Sequence, residues 1–210
     1  MHIYIVRHGE TEWNKEEIFR GTKDIPLNAV GKEQAEKAGD YFIDKGIQSI
    51  FSSPLSRAQQ TAEAIARATK VAIKTVEGFT DMNFGEWEGR AVKDVELLYP
   101  EAIKTWRERP QDLKVSGGET LVQVRARAAK ALKRLLPEAG ENIVIVTHRV
   151  LCKILLLHFL KIPNQHFWKI KCDPAGISLV EVRDGTCVVS FMNDTCHLRG
   201  EKTGRQYRDF

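Results

Sequence analysis

Two near-continuous apolar runs, residues 3–6 (Ile-Tyr-Ile-Val) and 143–147 (Ile-Val-Ile-Val-Thr), constrain this chain more than any other feature. Neither shows polar alternation, and runs of this kind suit strands buried on both faces. A third strand-like run, Ser49–Ser52, lies between them. Each is followed by a turn and then by apolar residues at helical spacing. Strands alternating with helices imply crossover connections and a mainly parallel sheet. The expected fold is therefore α/β, a three-layer sandwich with a mostly parallel central sheet and helices on both faces.

The helical patterns fill in the layers. Ser53 is expected to cap a helix begun by Pro54, because proline tolerates the first helical position; it runs on through Gln60, Thr61, Ala64, Ile65 and Ala68 and carries Arg57 in its first turn. Residues 31–45 read as an earlier helix with Ala35, Ala38 and either Tyr41 or Phe42 facing inward. Gly117-Gly118-Glu119-Thr120 opens a long helix in which Leu121, Val124, Ala128, Leu132 and Leu135 form the apolar stripe; Arg127, Lys130 and Arg134 mark its wet face. The apolar stretch 154–160 reads as a buried helix after His148, far short of the roughly 20 residues a membrane span needs. Near the end, Arg183-Asp184-Gly185-Thr186 separates the β-rich runs 177–182 and 187–191, a hairpin signal.

Residues 77–118 differ from the rest. They are rich in glycine and proline and suggest two short helices, 91–99 and 101–109. They are expected to pack over the strand ends as a lid-like insertion, and substrate choice is expected to depend on its side chains Met82, Trp87 and Trp106. The organisation is thus one domain over residues 1–200, followed by a polar tail, 201–210.

The 210 residues suffice for one sizeable α/β domain. A net charge of +4, from 32 basic and 28 acidic residues, suits small acidic molecules and is no nucleic-acid footprint. Cys152, Cys172, Cys187 and Cys196 form no Cys-x-x-Cys pair and are expected to be reduced, mostly buried thiols. With a strand beginning at the first residues there is no room for a signal peptide. These features suggest a cytoplasmic protein with no membrane partner. The apolar run near 188–191 permits a homodimer through an edge strand.

Ligands of open parallel sheets bind outside the carboxyl ends of the strands. Arg7 and His8 follow the first strand, Arg57 the second and His148 the third. Two guanidiniums and two imidazoles in one crevice make an anion site, and phosphate suits the planar donor fork of arginine. The chain has no Gly-x-x-x-x-Gly-Lys-Ser loop, His-Glu-x-x-His or Asp-x-Asp-x-Asp. Phosphoryl transfer then falls to a side-chain nucleophile among fixed positive charges. His8 is the better candidate. Neighbouring guanidiniums disfavour its imidazolium, Gly9 lets backbone approach the phosphoryl group, and a carbonyl holding one N–H would fix the tautomer. Arg7, Arg57 and His148 would bind the equatorial oxygens, with Asn14 as a neutral donor. A carboxylic acid must protonate the leaving alkoxide and later activate water. Asp81, Glu86 and Glu88 all qualify, and spacing does not choose among them.

With these residues in hand, the chain resembles the histidine phosphatase superfamily in its phosphoglycerate-mutase-like branch. The resemblance rests on Arg7-His8-Gly9-Glu10-Thr11-Glu12-Trp13-Asn14, Ser52-Ser53-Pro54-Leu55-Ser56-Arg57-Ala58, Phe84-Gly85-Glu86-Trp87-Glu88-Gly89, Gly117-Gly118-Glu119-Thr120 and Val146-Thr147-His148. It implies a phosphoglycerate-mutase-like fold, no metal and no cofactor. It implies that His8 becomes the phosphohistidine and that Arg7, Arg57 and His148 form the phosphate pocket. Arg20 and Gly21 correspond to a loop lining the substrate side. The family's proton donor is usually a glutamate at the position of Asp81, a departure of one methylene; Asp81 is the expected donor, with Glu88 next. Arg149 stands where many members have glycine, and its side chain could reach a carboxylate or second phosphate on the substrate.

The compact middle region resembles bacterial phosphatase members acting on α-ribazole phosphate, phosphoserine or a broad range of esters. The resemblance thus implies a metal-independent phosphomonoesterase whose partner is a small phosphorylated metabolite. A cofactor-dependent phosphoglycerate mutase and an inactive phosphate-ester-binding module are the alternatives.

Overall fold

The computed structural model describes residues 1–198; the expected tail 201–210 lies outside the described residues. Six strands, β1 (His2–Arg7), β2 (Ser49–Ser52), β3 (Ile73–Thr75), β4 (Asn142–Thr147), β5 (Ile177–Arg183) and β6 (Thr186–Asp194), form one sheet in the order β3-β2-β4-β1-β5-β6. The pairs β1–β4, β2–β4 and β2–β3 are parallel, whereas β5 runs antiparallel to both β1 and β6. The helices are α1 (Glu12–Lys15), α2 (Ala29–Phe42), α3 (Ser56–Thr69), α4 (Val92–Leu98), α5 (Pro100–Glu108), α6 (Leu121–Leu135) and α7 (Arg149–Phe159). None of the described helices is long and apolar enough to cross a membrane.

The two buried runs work as expected. Successive strand side chains point to opposite faces. Ile3, Ile5, Ile143 and Ile145 therefore join a core with Val124, Ala128 and Leu132 of α6 and Leu151 and Leu155 of α7. Tyr4, Val6, Val144 and Val146 join the opposite core, with Phe42 of α2 and Ala58, Ala62 and Ile65 of α3. The chain leaves β1, passes to β2 and β3, and returns to insert β4 between β2 and β1. Helix α2 after β1 and helix α7 after β4 cover opposite faces. The carboxyl ends of these two strands, paired at Arg7 and Thr147, flank a switch point of the kind that holds ligands in such sheets.

Local chemistry moved several boundaries. Asn28 caps α2, accepting from the Gly31 amide at 2.8 Å, so the helix starts two residues before Gly31 and ends at Phe42, the inward aromatic. Helix α3 begins at Ser56 rather than Pro54. Asp24 caps it from a distant loop, accepting from the Ser56 amide at 2.7 Å and the Ser56 hydroxyl at 2.6 Å. Ser53 is thereby released for another use. The hairpin forms as read, with Asp184 and Gly185 both at positive φ, as a type I′ turn requires.

The segment 77–118 is not laid over the core but shares it. Phe79, Met82, Trp87 and Trp106 are fully buried there. Phe84 stacks edge-on against Trp106, and Trp106 lies against Phe167 and Trp168. The expectation that substrate choice depends on Met82, Trp87 and Trp106 is corrected: their apolar area is spent on packing.

Candidate active site

The ends of β1, β2 and β4 bring Arg7, His8, Arg57 and His148 together, all buried. The His8 and His148 rings lie 5.2 Å apart between centroids. His8 Nδ1 is 2.6 Å from the Gly9 carbonyl oxygen. A carbonyl only accepts, so Nδ1 carries the proton and Nε2 is left with a lone pair. Burial, then Arg57, Arg7 and Arg20, hold the His8 pKa well below the ordinary imidazole value, so the ring is neutral.

The same logic assigns His148. Arg57 Nε donates to His148 Nδ1 at 3.2 Å, so the other nitrogen, Nε2, carries the proton and donates to Ser53 Oγ at 2.7 Å. Burial, then Arg57, His8 and Arg20, push this imidazole well below its ordinary value too. Both ring nitrogens of His148 already have protein partners.

The guanidiniums are held mainly by main-chain oxygens. Arg7 Nη1 donates to the Cys172 carbonyl at 2.5 Å, while its buried Nε has no partner. Arg57 Nη1 donates to Lys23 O at 2.8 Å, and Nη2 to Gly21 O at 2.8 Å and Asp81 Oδ2 at 3.3 Å. Asp81 Oδ2 also stands 3.8 Å from His148 Nδ1, and Asp81 Oδ1 accepts from the Met82 amide at 2.9 Å. A cleft beside these groups is lined by Arg20, Gly21, Asp81, Phe84, Arg149 and Val150, among others. The N-terminus of α7 opens onto it, with His148 as its cap residue. Among the described residues no group of three or more His, Cys, Asp or Glu is placed to hold a metal ion.

The profile of the histidine phosphatase superfamily, branch 1, matches residues 3–195. The chain belongs to this superfamily. It is 30% identical over 197 residues to "Phosphoserine phosphatase 1" of Hydrogenobacter thermophilus, covering 93% of each chain. It is 30% identical over 209 residues to "Probable phosphoglycerate mutase GpmB" of Salmonella paratyphi B, covering 94% of this chain and 95% of the relative. The solved α-ribazole phosphatase of Shigella flexneri superposes with a TM-score of 0.84 at 25% identity, over 92% of this chain and 96% of that one.

Within this histidine phosphatase the three carboxylate candidates separate by position. Asp81 alone of the three lines the cleft. Glu86 is exposed and accepts from the Tyr99 hydroxyl at 2.9 Å. Glu88 Oε1 accepts from the Thr22 amide at 2.8 Å and the Phe84 amide at 3.1 Å, which makes it a strut between the loop at Gly21 and Thr22 and the backbone at Phe84. Gly21, at φ +50°, lies so close that an added Cβ would sit 1.9 Å from Glu88 Oε1. Asn14 Oδ1 accepts from the Thr11 amide at 3.0 Å and hydroxyl at 2.9 Å, so the donor expected of this residue is its Nδ2. The space Gly9 saves goes to α2, since a Cβ there would meet the Gly31 carbonyl oxygen at 2.4 Å.

Sequence reasoning missed three side chains that build this site. Ser53, read as a helix cap, accepts a hydrogen bond from His148 Nε2 instead. Thr61 Oγ1 accepts from the Gly9 amide at 3.1 Å and donates to Arg57 O at 2.9 Å, tying α3 to the loop after β1. Arg127, read as solvated, is half-buried; it donates to the carbonyls of Gly78, Thr80 and Asp81 at 3.0, 2.7 and 2.9 Å and pairs with Glu119 at 2.8 Å. It clamps the backbone that presents Asp81. Its place beside Val124 and Ala128, at the border of the apolar stripe, was the available signal.

Proposed function

We propose that this chain is a metal-independent phosphomonoesterase that hydrolyses a small-molecule phosphate ester through a phosphohistidine on His8. The observation that supports this most is the bare Nε2 of a neutral, buried imidazole beside Arg7, Arg57 and Arg20. Fixed cations stabilise the charge spread over the transferring group without reorganising during the reaction.

The chemistry follows in two displacements. The Nε2 lone pair attacks phosphorus, forming a P–N bond as the P–O ester bond breaks. The alkoxide leaves with a proton from Asp81. Four of the five Arg57 donors are already engaged, one of them by Asp81. A phosphoryl oxygen takes that donor from Asp81, the monoanionic ester passes its phosphate proton to the Asp81 carboxylate, and Asp81 hands that proton to the alkoxide as the P–O bond breaks. Water, losing a proton to Asp81, next attacks phosphorus; the P–N bond breaks and inorganic phosphate leaves. His148 joins the phosphate shell by exchanging Ser53 for a phosphoryl oxygen at Nε2.

The test is an assay with p-nitrophenyl phosphate and small phosphate esters in EDTA. Free phosphate, abolished by His8→Ala, is the expected result. Isomerised phosphoglycerate that requires a bisphosphate primer would make the chain a mutase. Ester binding without any product would make it a binding module.

A further inference from the structure

Asn193 stands near the end of β6, far along the chain from Arg7 and His8, at φ +53°. The strand register explains that angle. Ile177 pairs with Asp194 and Leu179 with Phe191, so Met192 and Asn193 together face the single residue Ser178. An extra residue of this kind is a β-bulge, which re-aims a side chain at the rim of a sheet. Asparagine is among the few residues that tolerate positive φ. Its amide is held as well, donating to Ser178 Oγ at 3.0 Å.

The re-aimed carboxamide grips Asp173. Asn193 Oδ1 accepts from the Asp173 amide at 2.6 Å, and Nδ2 donates to Asp173 Oδ2 at 2.8 Å. Asp173 opens the turn Asp173-Pro174-Ala175-Gly176, closed by the Gly176 amide donating to Asp173 O at 2.9 Å. Proline in second place and φ +53° in third make this a type II turn, whose third residue is usually glycine. Here it is a fully buried alanine. Such strain persists only where the surroundings over-determine the backbone, and the clasp from Asn193 does so. The fit is close: a Cβ on Gly176 would meet Asn193 Oδ1 at 2.4 Å.

The strained segment is bonded to the phosphate pocket. The Cys172 carbonyl accepts from Arg7 Nη1 at 2.5 Å, and the Gly176 carbonyl accepts from the Arg7 amide at 3.1 Å. The Ala175 amide donates to the His8 carbonyl at 3.2 Å. Those bonds hold the backbone of Arg7 and His8 and one end of the guanidinium. We propose that Asn193 is a positioning residue that sets Arg7 and His8 for phosphate binding and transfer through the segment 172–176. The proposal rests on the phosphomonoesterase reading for its turnover, and on the phosphate pocket alone for its binding.

The experiment pairs calorimetry of inorganic phosphate with p-nitrophenyl phosphate kinetics, both well below each variant's unfolding temperature. Asn193→Gly removes the carboxamide and still accepts the left-handed backbone. It is expected to weaken phosphate about tenfold and to lower kcat/KM about 10- to 100-fold. The double variant Asn193→Asp/Asp173→Asn exchanges donor and acceptor across the same pair and should recover both to within about threefold. Val189→Ala, which thins the packing of β6 on the core, should lower Tm and leave both within about twofold. Unchanged phosphate affinity in folded Asn193→Gly overturns the proposal. So do equal losses in Val189→Ala, because hairpin stability alone would then set the site, and losses that the exchanged pair does not recover. If Asn193→Gly does not fold, Asp173→Ala, which deletes the bond from Nδ2 and keeps the one to the Asp173 amide, is expected to weaken phosphate about threefold or more, and no change overturns the proposal. A native chain that binds phosphate and turns over no ester fails the phosphomonoesterase reading, and the calorimetry then decides the positioning role by itself.

Discussion

Arg57 and Arg20 are both buried guanidiniums that act on His8, yet they are held in opposite ways. Arg57 spends its donors on a histidine, a carboxylate and two carbonyls, so its fork is fixed before any ligand arrives. Arg20 has one bond to a carbonyl and a buried nitrogen without a partner. The difference divides the site. The inner part, at the strand ends, is preorganised, and under the proposed function it takes the phosphoryl group. The outer part, around Arg20, is built on a loop and lines the cleft beside it. Under the proposed function, chemistry belongs to the sheet edge, the more rigidly held of the two.

The inner part breaks most sharply at His8. His8→Asn should cut turnover of every ester by on the order of 10^4- to 10^6-fold, the scale of removing a nucleophile. Steady-state assays on the folded variant measure this. Asp81→Asn comes next, at about 10^2- to 10^4-fold on alkyl esters. The loss should be much smaller on p-nitrophenyl phosphate, whose leaving group needs no proton. An equal loss on both would remove Asp81 from the donor role.

Arg127→Met tests whether the clamp on the Asp81 backbone matters to chemistry. A displaced donor costs about 10- to 100-fold in kcat, with KM little changed. Because Arg127 acts through Asp81, the loss should steepen with leaving-group basicity; a merely structural arginine would lower all esters alike.

Much of the inner part was legible because it needs only local signals. An apolar run announces each buried strand, and Arg7, His8 and His148 follow their strands at once. The short half-exposed strand β3 gave no such signal. Asp24 caps α3 across 32 residues of chain, a contact no local pattern encodes. Glu88 and Asp81 are carboxylates in one glycine-rich stretch, and only the fold sends one to the cleft and the other to Thr22. Met82, Trp87 and Trp106 suit a binding surface as well as a core, and burial decides between them.

The pH dependence of stability sharpens the same contrast. His8 and His148 have folded pKa values depressed below the unfolded value near 6.5, so above that pH neither state gains protons. As pH falls below about 6.5 the unfolded chain binds protons that the native site refuses, and stability declines. Thermal unfolding between pH 7.5 and 5 should show a shallower decline in His8→Asn than in the native chain. The smallest effect is expected for Glu88→Gln, where an amide oxygen still accepts from Thr22 and Phe84. Its turnover should stay within about threefold, since neutral hydrogen bonds replace charge-assisted ones away from the reacting atoms.

Rapid quenching during turnover of a phosphorus-labelled ester, followed by peptide mapping, addresses the covalent route itself. Label that is stable in alkali, lost in acid and confined to Nε2 of His8 is the predicted outcome. Label on another side chain, or full turnover in EDTA with inversion at phosphorus and no labelled protein at any time, would contradict it.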